Sequence, residues 1–377
     1  MLLNRHLRST EEIPVRITHV ESIALKHAFG LPETGTTREW TNVLIHTDEG
    51  LTGFGRGGSP DLISRDLAPV LIGQDPRQIA RLWDQMYESA WRYRGPGRAA
   101  MSSIGALDIA LWDLYGKICD QPVWRLLGGY TDTVPAYADG IGYIDQSPEE
   151  VADEVKEHSA LGYDAIKLHF NSCTPQEVID KVRLSREVLG PDKKLMIDVS
   201  RAWDGKTAVE TARQLEPYKL YWIEEPVRLD DEPLYMRMVQ EATSAIVAGA
   251  EGEGTLYGIR RLINEGALQL VQTDILIGGG YTGLMRIAAL CEAYHLPIAP
   301  HGAQFPDVNC HLVAAVPNGL MVPACPSCEP FQIWSKLYDP PFQVVDGQIA
   351  MTDRPGLGLE LDWDFINRHR VDSPSVH

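Results

Sequence analysis

Along the chain the spacing of apolar and polar positions changes twice. Between residues 13 and 57 it suits strands: Val15, Ile17 and Val20 come first, then Val43-Leu44-Ile45 and Leu51-Thr52-Gly53-Phe54. The Thr-Asp-Glu-Gly between the last two runs predicts a hairpin. From 62 to 127 the spacing turns helical, with Ile79, Leu82 and Met86, then Leu107, Ala110, Leu111 and Leu114. Strands followed by helices predict a small α+β domain, closed by the tract Leu126-Leu127-Gly128-Gly129.

From Val134 onward short apolar runs alternate with helical stretches. The runs are Ala165-Ile166, Leu195-Met196-Ile197, Leu220-Tyr221-Trp222-Ile223, Ile246-Val247-Ala248, Leu270-Val271 and Pro297-Ile298-Ala299. Two of the intervening helices open on capping boxes with proline in first position, Ser147-Pro148-Glu149-Glu150 and Thr174-Pro175-Gln176-Glu177. Repeated strand–helix units imply a parallel sheet, and about eight units over ~200 residues fit a closed (β/α)8 barrel. An open doubly wound sheet is the competing architecture.

Composition narrows the function. A chain of 377 residues is long for one core, so two packed domains are expected. Its 44% hydrophobic and 23% charged residues are those of a soluble globular protein. A net charge of −18 argues against nucleic acid and anionic membrane as partners. It also means that an anionic substrate needs a local cation. No sustained apolar stretch opens the chain, so neither a signal peptide nor a membrane span is expected. The six cysteines form no disulfide framework, and Cys325-Pro-Ser-Cys328 lacks the second pair that a structural zinc site needs. Free thiols and a cytoplasmic location are the expectation.

The chemistry is carried by what stands at the ends of the apolar runs. Lys167 and His169 follow Asp-Ala-Ile, Asp198 follows Leu-Met-Ile, and Glu224 with Glu225 follows Tyr-Trp-Ile. Glu251, Asp274 and His301 end the next three units. Successive intervals from Lys167 to His301 are 31, 26, 27, 23 and 27 residues, one strand–helix unit each. Each unit thus delivers a polar group to the carboxyl end of its strand, where barrel enzymes hold their chemistry. A carboxylate there often only caps the next helix. Six consecutive units doing so, with a lysine and two histidines included, favour a site. Asp198, Glu224 and Glu251 would converge and repel one another without a cation. Oxygen ligands alone select a hard ion, Mg²⁺ or Mn²⁺. Lys167 and His169, two apart, share a strand face, and a lysine beside a metal and a second cation is expected to have a lowered pKa. Asp274 is placed to fix the tautomer of His301 for proton transfer. The run Gly278-Gly-Gly-Tyr-Thr-Gly283 matches the dinucleotide fingerprint, but it comes late in the chain and lacks the acidic residue ~20 positions on. It reads as a glycine-rich turn, so an oxidoreductase is the lesser alternative. The other nine histidines carry no assignment.

These residues resemble the enolase superfamily, specifically its mandelate racemase-like members. Asp108-Ile-Ala-Leu-Trp-Asp113-Leu-Tyr-Gly116-Lys117 looks like the family's signature helix, and Trp222-Ile-Glu-Glu-Pro226 like the segment carrying the second metal ligand. The likeness implies an α/β fold, a (β/α)8 TIM-type barrel with an N-terminal α+β capping domain. Its expected extents are 13–130 for the cap, 131–340 for the barrel, and 341–377 for a C-terminal segment packing back on the cap. Gly30 to Arg38 and Gly53 to Ser59 would be the cap loops over the barrel mouth. The likeness also implies Mg²⁺ on Asp198, Glu224 and Glu251, with Glu224 rather than Glu225 facing inward. Three departures matter. The family's Lys-x-Lys is Lys167-x-His169 here, the Asn after the first metal ligand is Ser200, and Met321-Val-Pro323 replaces the last-strand glutamate, with Glu329 as its substitute. The His–Asp dyad resembles that of acid-sugar dehydratases. The expected enzyme is therefore a lyase acting on a small-molecule carboxylate, an aldonate or aldarate. His169 is favoured over Lys167 as α-proton base and His301, with Asp274, as acid; Lys167, Ser200 and Glu329 would contact the substrate. A racemase or epimerase working through the same enediolate is the alternative, a non-catalytic binding protein a further one, and homo-oligomerisation stays open.

Overall fold

The computed structural model describes residues 15–28, 37–94, 97–142, 146–170, 173–228, 233–325, 335–371 and 375–376. Three antiparallel strands open it: β1 (Ile17–Ala28), β2 (Thr37–Thr47) and β3 (Thr52–Arg56), with the 47–52 turn joining the last two. Two short strands from the far end of the chain, β12 (Arg370–Val371) and β13 (Ser375–Val376), pair with β1 and complete this sheet. The helices Ile79–Arg94 and Arg98–Cys119 follow β3, and the second lies directly on it.

Glycine sets the distance of that contact. A Cβ on Gly53 would lie 2.2 Å from the carbonyl oxygen of Ala110, and one on Gly55 2.0 Å from that of Ala106. Both obstacles are backbone, which no rotamer change relieves. Gly55→Ala is therefore expected to cost about 1–3 kcal/mol through overpacking. Thermal unfolding of the variant beside its parent measures this. The same helix carries the Asp108–Lys117 motif, whose polar residues tie the domain together. Asp113 accepts from the backbone N–H groups of Phe54 and Leu357, both at 2.8 Å, and Lys117 donates to Asp113 and to the Thr52 carbonyl, both at 2.7 Å.

The second sheet curls on itself. Its parallel strands run in chain order: β4 (Thr133–Ile141), β5 (Ala165–His169), β6 (Lys194–Asp198), β7 (Trp222–Glu224), β8 (Ile246–Gly249) and β9 (Leu270–Val271). Parallel bridges carry the order on from Val271 to Ile298 and from Ile298 to Gly319. The next strand, β10 (Val322–Ala324), pairs back with β4 and closes the barrel. A short antiparallel strand, β11 (Gln348–Ala350), lies outside the ring on β4. Inside, each of the eight strand positions contributes one buried side chain to a single cluster: Tyr137, Ala165, Met196, Trp222, Ala248, Leu270, Ala299 and Met321. Five large residues and three alanines fill a narrowing interior, as a packed barrel core requires. Both capping boxes form, at Ser147 and Thr174.

The glycine run sits where cap and barrel meet. Gly279 and Gly280 adopt φ of 80° and 77°, and a Cβ on Gly280 would lie 2.5 Å from Asp108 Oδ2. The Thr282 N–H and hydroxyl donate to the Asp108 carboxylate at 2.9 and 2.6 Å, and the Trp83 indole donates to the Gly279 carbonyl at 2.7 Å. A carboxylate from the cap thus takes the helix N-terminus where a dinucleotide would need its pyrophosphate. Burial pushes Asp108 up to about 7 against the Thr282 hydrogen bonds that lower it. Among the described residues no helix is long and apolar enough to cross a membrane.

Candidate active site at the carboxyl ends of the barrel strands

Strand register alone assembles the first row of the site. His169 pairs with Asp198 across β5 and β6, and Asp198 with Glu224 across β6 and β7, so three polar residues stand abreast at the strand ends. Glu251 follows β8 by two residues. One ligand atom each from Asp198, Glu224 and Glu251 lies within 4.8 Å of the others. The chain buckles beside each of them: Ser200, Arg201, Glu225 and Ala250 all have positive φ, between 44° and 77°. Four such residues cost of order 1 kcal/mol or more each, and strain of this kind gathers where side chains are aimed for function.

Every carboxylate is anchored. The Ser200 N–H donates to Asp198 Oδ1 at 2.8 Å, and His169 Nδ1 lies 3.3 Å from Oδ2. Lys167 and Gln272 donate to Glu224 Oε2 at 2.9 and 2.8 Å, while Glu224 Oε1 is buried with no hydrogen-bond partner. An orphaned carboxylate oxygen costs several kcal/mol unless a cation takes it. Burial pushes Glu224 up to about 8, and the charges of Asp198 and Asp139 add to this against Lys167. The donor set therefore fits a hard divalent ion: oxygen only, one buried oxygen without a hydrogen-bond partner, and excess negative charge. Glu225 faces away and serves as a brace, accepting from Arg201 Nε at 2.7 Å and from the N–H groups of Ala250 and Glu251 at 2.8 and 3.2 Å.

Lys167 departs from the expectation of a lowered pKa. It is 1% exposed, and besides Glu224 it meets Asp139 at 3.3 Å and Asp198 at 3.8 Å, with the Tyr137 ring 5.5 Å away. Burial lowers its pKa, but the carboxylates of Asp139 and Glu224 outweigh burial and hold it well above the usual lysine range. The expected second cation, His169, stands instead against Asp198 and Ser200, whose hydroxyl lies 3.0 Å from His169 Nε2.

On the other flank, His301 is gripped on both ring nitrogens. Nδ1 lies 3.0 Å from Asp274 Oδ2 and Nε2 3.0 Å from Glu251 Oε2. Burial lowers its pKa, yet the two carboxylates raise it well above the ordinary histidine value, as befits an imidazolium. Asp274 is held in turn by the N–H groups of Leu276 and Ile277 at 2.8 and 3.1 Å. The loop after His301 is clamped from the cap. Arg56, at the end of β3, meets Asp307 at 2.5 Å and donates to the Gln304 carbonyl at 2.8 Å.

Glu329, the substitute proposed for the last strand, lies outside the described residues, as do Cys328 and most of the cap loop from Gly30 to Arg38. Sequence reasoning missed Asp139 and Gln272. Asp139 obeys the strand-end rule on β4, and Gln272 directly follows β9 at the end of its unit.

Comparison with known proteins identifies the family. Residues 15–128 match the family model of the mandelate racemase / muconate lactonizing enzyme N-terminal domain, and 150–365 match that of the enolase C-terminal domain-like fold. The 3,6-anhydro-alpha-L-galactonate cycloisomerase of Streptomyces coelicolor is 35% identical over 343 residues, covering 88% of this chain and 92% of its own. Arabinonate dehydratase of Saccharolobus solfataricus is 30% identical over 340 residues, covering 87% and 90%. A solved racemase from Streptomyces coelicolor with bound magnesium superposes with a TM-score of 0.84 at 32% identity, over 94% of this chain and 100% of that one. The protein is a lyase-type enzyme and belongs to the enolase superfamily, in its mandelate racemase-like subgroup.

Proposed function

We propose that this enzyme is a Mg²⁺-dependent acid-sugar dehydratase, converting an aldonate or aldarate to its 2-keto-3-deoxy acid. The observation that carries the reading is the pair of histidines at opposite flanks of the carboxylate cluster, His169 against Asp198 and His301 between Asp274 and Glu251. Bound by Asp198, Glu224 and Glu251, Mg²⁺ supplies a fixed positive charge for the substrate carboxylate and for the negative charge that grows there as the α-proton leaves.

His169 takes the proton from C2. Its side chain is 16% exposed, whereas that of Lys167 is 2% exposed and its ammonium already donates to Glu224. Lys167 is thus a counter-charge behind the site, and Ser200 orients the imidazole that does the work. His301, an imidazolium, gives its proton to the departing 3-hydroxyl, which leaves as water. The resulting enol ketonises to the 2-keto acid, so the base gains one proton and the acid loses one.

The testing experiment offers a panel of aldonates and aldarates with Mg²⁺ and measures 2-keto acid. Turnover of at least one is expected, with solvent deuterium incorporated at C3. His169→Asn should lower the rate by roughly 10²–10⁴ and lower α-hydrogen exchange with it. A variant that exchanges at the parent rate would give the base role back to Lys167. Epimerisation of every substrate, with no keto acid from any, would replace the dehydratase reading with a racemase working from the same two histidines.

A further inference from the structure

The capping sheet carries a second convergence of ligating side chains. His19 and Glu21 are two apart on β1 and share a face. His46 on β2 is the direct cross-strand partner of His19, and the two rings stack at 5.3 Å between centroids with a 25° interplanar angle. His46 Nε2 lies 3.7 Å from Glu21 Oε2, and one ligand atom from each of the three residues lies within 4.8 Å of the other two. All three are half-buried. A tetrahedral ion with bonds of ~2.0–2.2 Å needs its ligand atoms ~3.4 Å apart, so rotations of about 1 Å close the set.

The surroundings hold these groups as a metal's outer partners would. A carbonyl can only accept, so the 2.8 Å contact of His19 Nδ1 with the Val376 carbonyl fixes the proton on Nδ1 and puts the neutral ring's lone pair on Nε2. His46 Nδ1 lies 3.0 Å from the Thr52 hydroxyl. The Arg370 guanidinium bonds Glu21 Oε1, and Oε2 is the oxygen that faces His46. Ligands and partners together come from β1, β2, β3, β12 and β13, all five strands of the sheet.

We propose that His19, Glu21 and His46 form a binding site for a transition-metal ion of the Zn²⁺ class, with water in the fourth position. Two imidazoles and one carboxylate suit such an ion and discriminate against Mg²⁺, which prefers oxygen. The site shares no residue with the barrel carboxylates. An ion there pins β1 to β2 and stiffens the partners from β3 and the chain's last strands, so it stabilises the cap instead of serving the reaction.

The test uses untagged, metal-stripped protein held in excess Mg²⁺, so that the barrel carboxylates are occupied, and titrates it with Co²⁺ and then Zn²⁺. The expected result is one Co²⁺ per chain with the visible bands of a four-coordinate site, displaced by Zn²⁺, and a raised unfolding temperature with Zn²⁺. His19→Gln and His46→Gln should each abolish the bands and weaken Zn²⁺ binding by roughly 100-fold or more. Glu21→Gln, the mildest change, should weaken it too, and stands in if a histidine variant does not fold. Glu251→Gln should leave bands and stoichiometry unchanged. Substoichiometric binding by the parent, bands that persist in the His19, His46 or Glu21 variants, or bands lost in Glu251→Gln would overturn the proposal.

Discussion

Glu251→Gln is expected to abolish turnover, by about 10³-fold or more, while the barrel stays folded. The substitution keeps the shape of the side chain and removes its charge. In the folded protein burial raises the Glu251 pKa, but the charge of His301 at 3.0 Å and of Arg201 at 3.3 Å outweighs burial and keeps it well below the usual carboxylate range. An amide there can no longer balance a divalent cation, and two carboxylates hold Mg²⁺ far more weakly than three. Chelation of the parent should give the same loss, reversed by added Mg²⁺, whereas the variant should stay inactive at Mg²⁺ concentrations that restore the parent. Circular dichroism and thermal unfolding separate this from misfolding. Full activity in a verified metal-free parent would remove the metal from the reaction altogether.

The strand-end rule made the centre of this site readable because it depends only on chain order. Asp198, Glu224, Glu251, Asp274 and His301 each close an apolar run, and parallel register then brings them side by side without further information. The barrel itself was readable for the same reason, since its alternation of short apolar runs and capped helices is local. What stayed hidden depends on three-dimensional surroundings. Lys167 was expected beside a metal and a second cation; its four-sided setting of Asp139, Asp198, Glu224 and Tyr137 comes from three other strands. The brace formed by Arg201 and Glu225 is equally illegible, because it rests on left-handed residues that no periodicity marks. Likewise, Asp108 and Thr282 lie 174 residues apart, so the carboxylate that occupies the N-terminus of the glycine-run helix leaves no trace in local sequence.

Family membership leaves the outcome of the reaction open. Relatives of comparable similarity are a dehydratase, a cycloisomerase and a racemase. What distinguishes these outcomes is what happens after the α-proton has gone, and hence what the second proton-carrying group does. In the proposed mechanism that group is His301, which Asp274 holds at Nδ1 and whose loop Arg56 clamps from the cap.

His301→Asn should therefore divide the reaction in two. With the imidazolium gone, no acid stands ready for the 3-hydroxyl, and 2-keto acid formation should fall by roughly 10²–10⁴. His169 and the carboxylates proposed to hold the metal remain, so the variant should still exchange the substrate's α-hydrogen with solvent deuterium, within about tenfold of the parent rate. Asparagine can keep one hydrogen bond toward Asp274, which limits disturbance of the loop. Proton NMR in deuterium oxide reads both quantities in one sample: loss of the α-proton signal reports the base, and the signal of the one proton left on the monodeuterated C3 of the product reports the acid. Loss of both together would mean that His301 also acts before the proton leaves, through Glu251. If instead the parent yields an epimer and no keto acid, and His301→Asn exchanges only one of the two epimers, then His301 is a second base on the opposite face. The dehydratase reading would then fall, while proton abstraction beside the Asp198–Glu224–Glu251 cluster would stand.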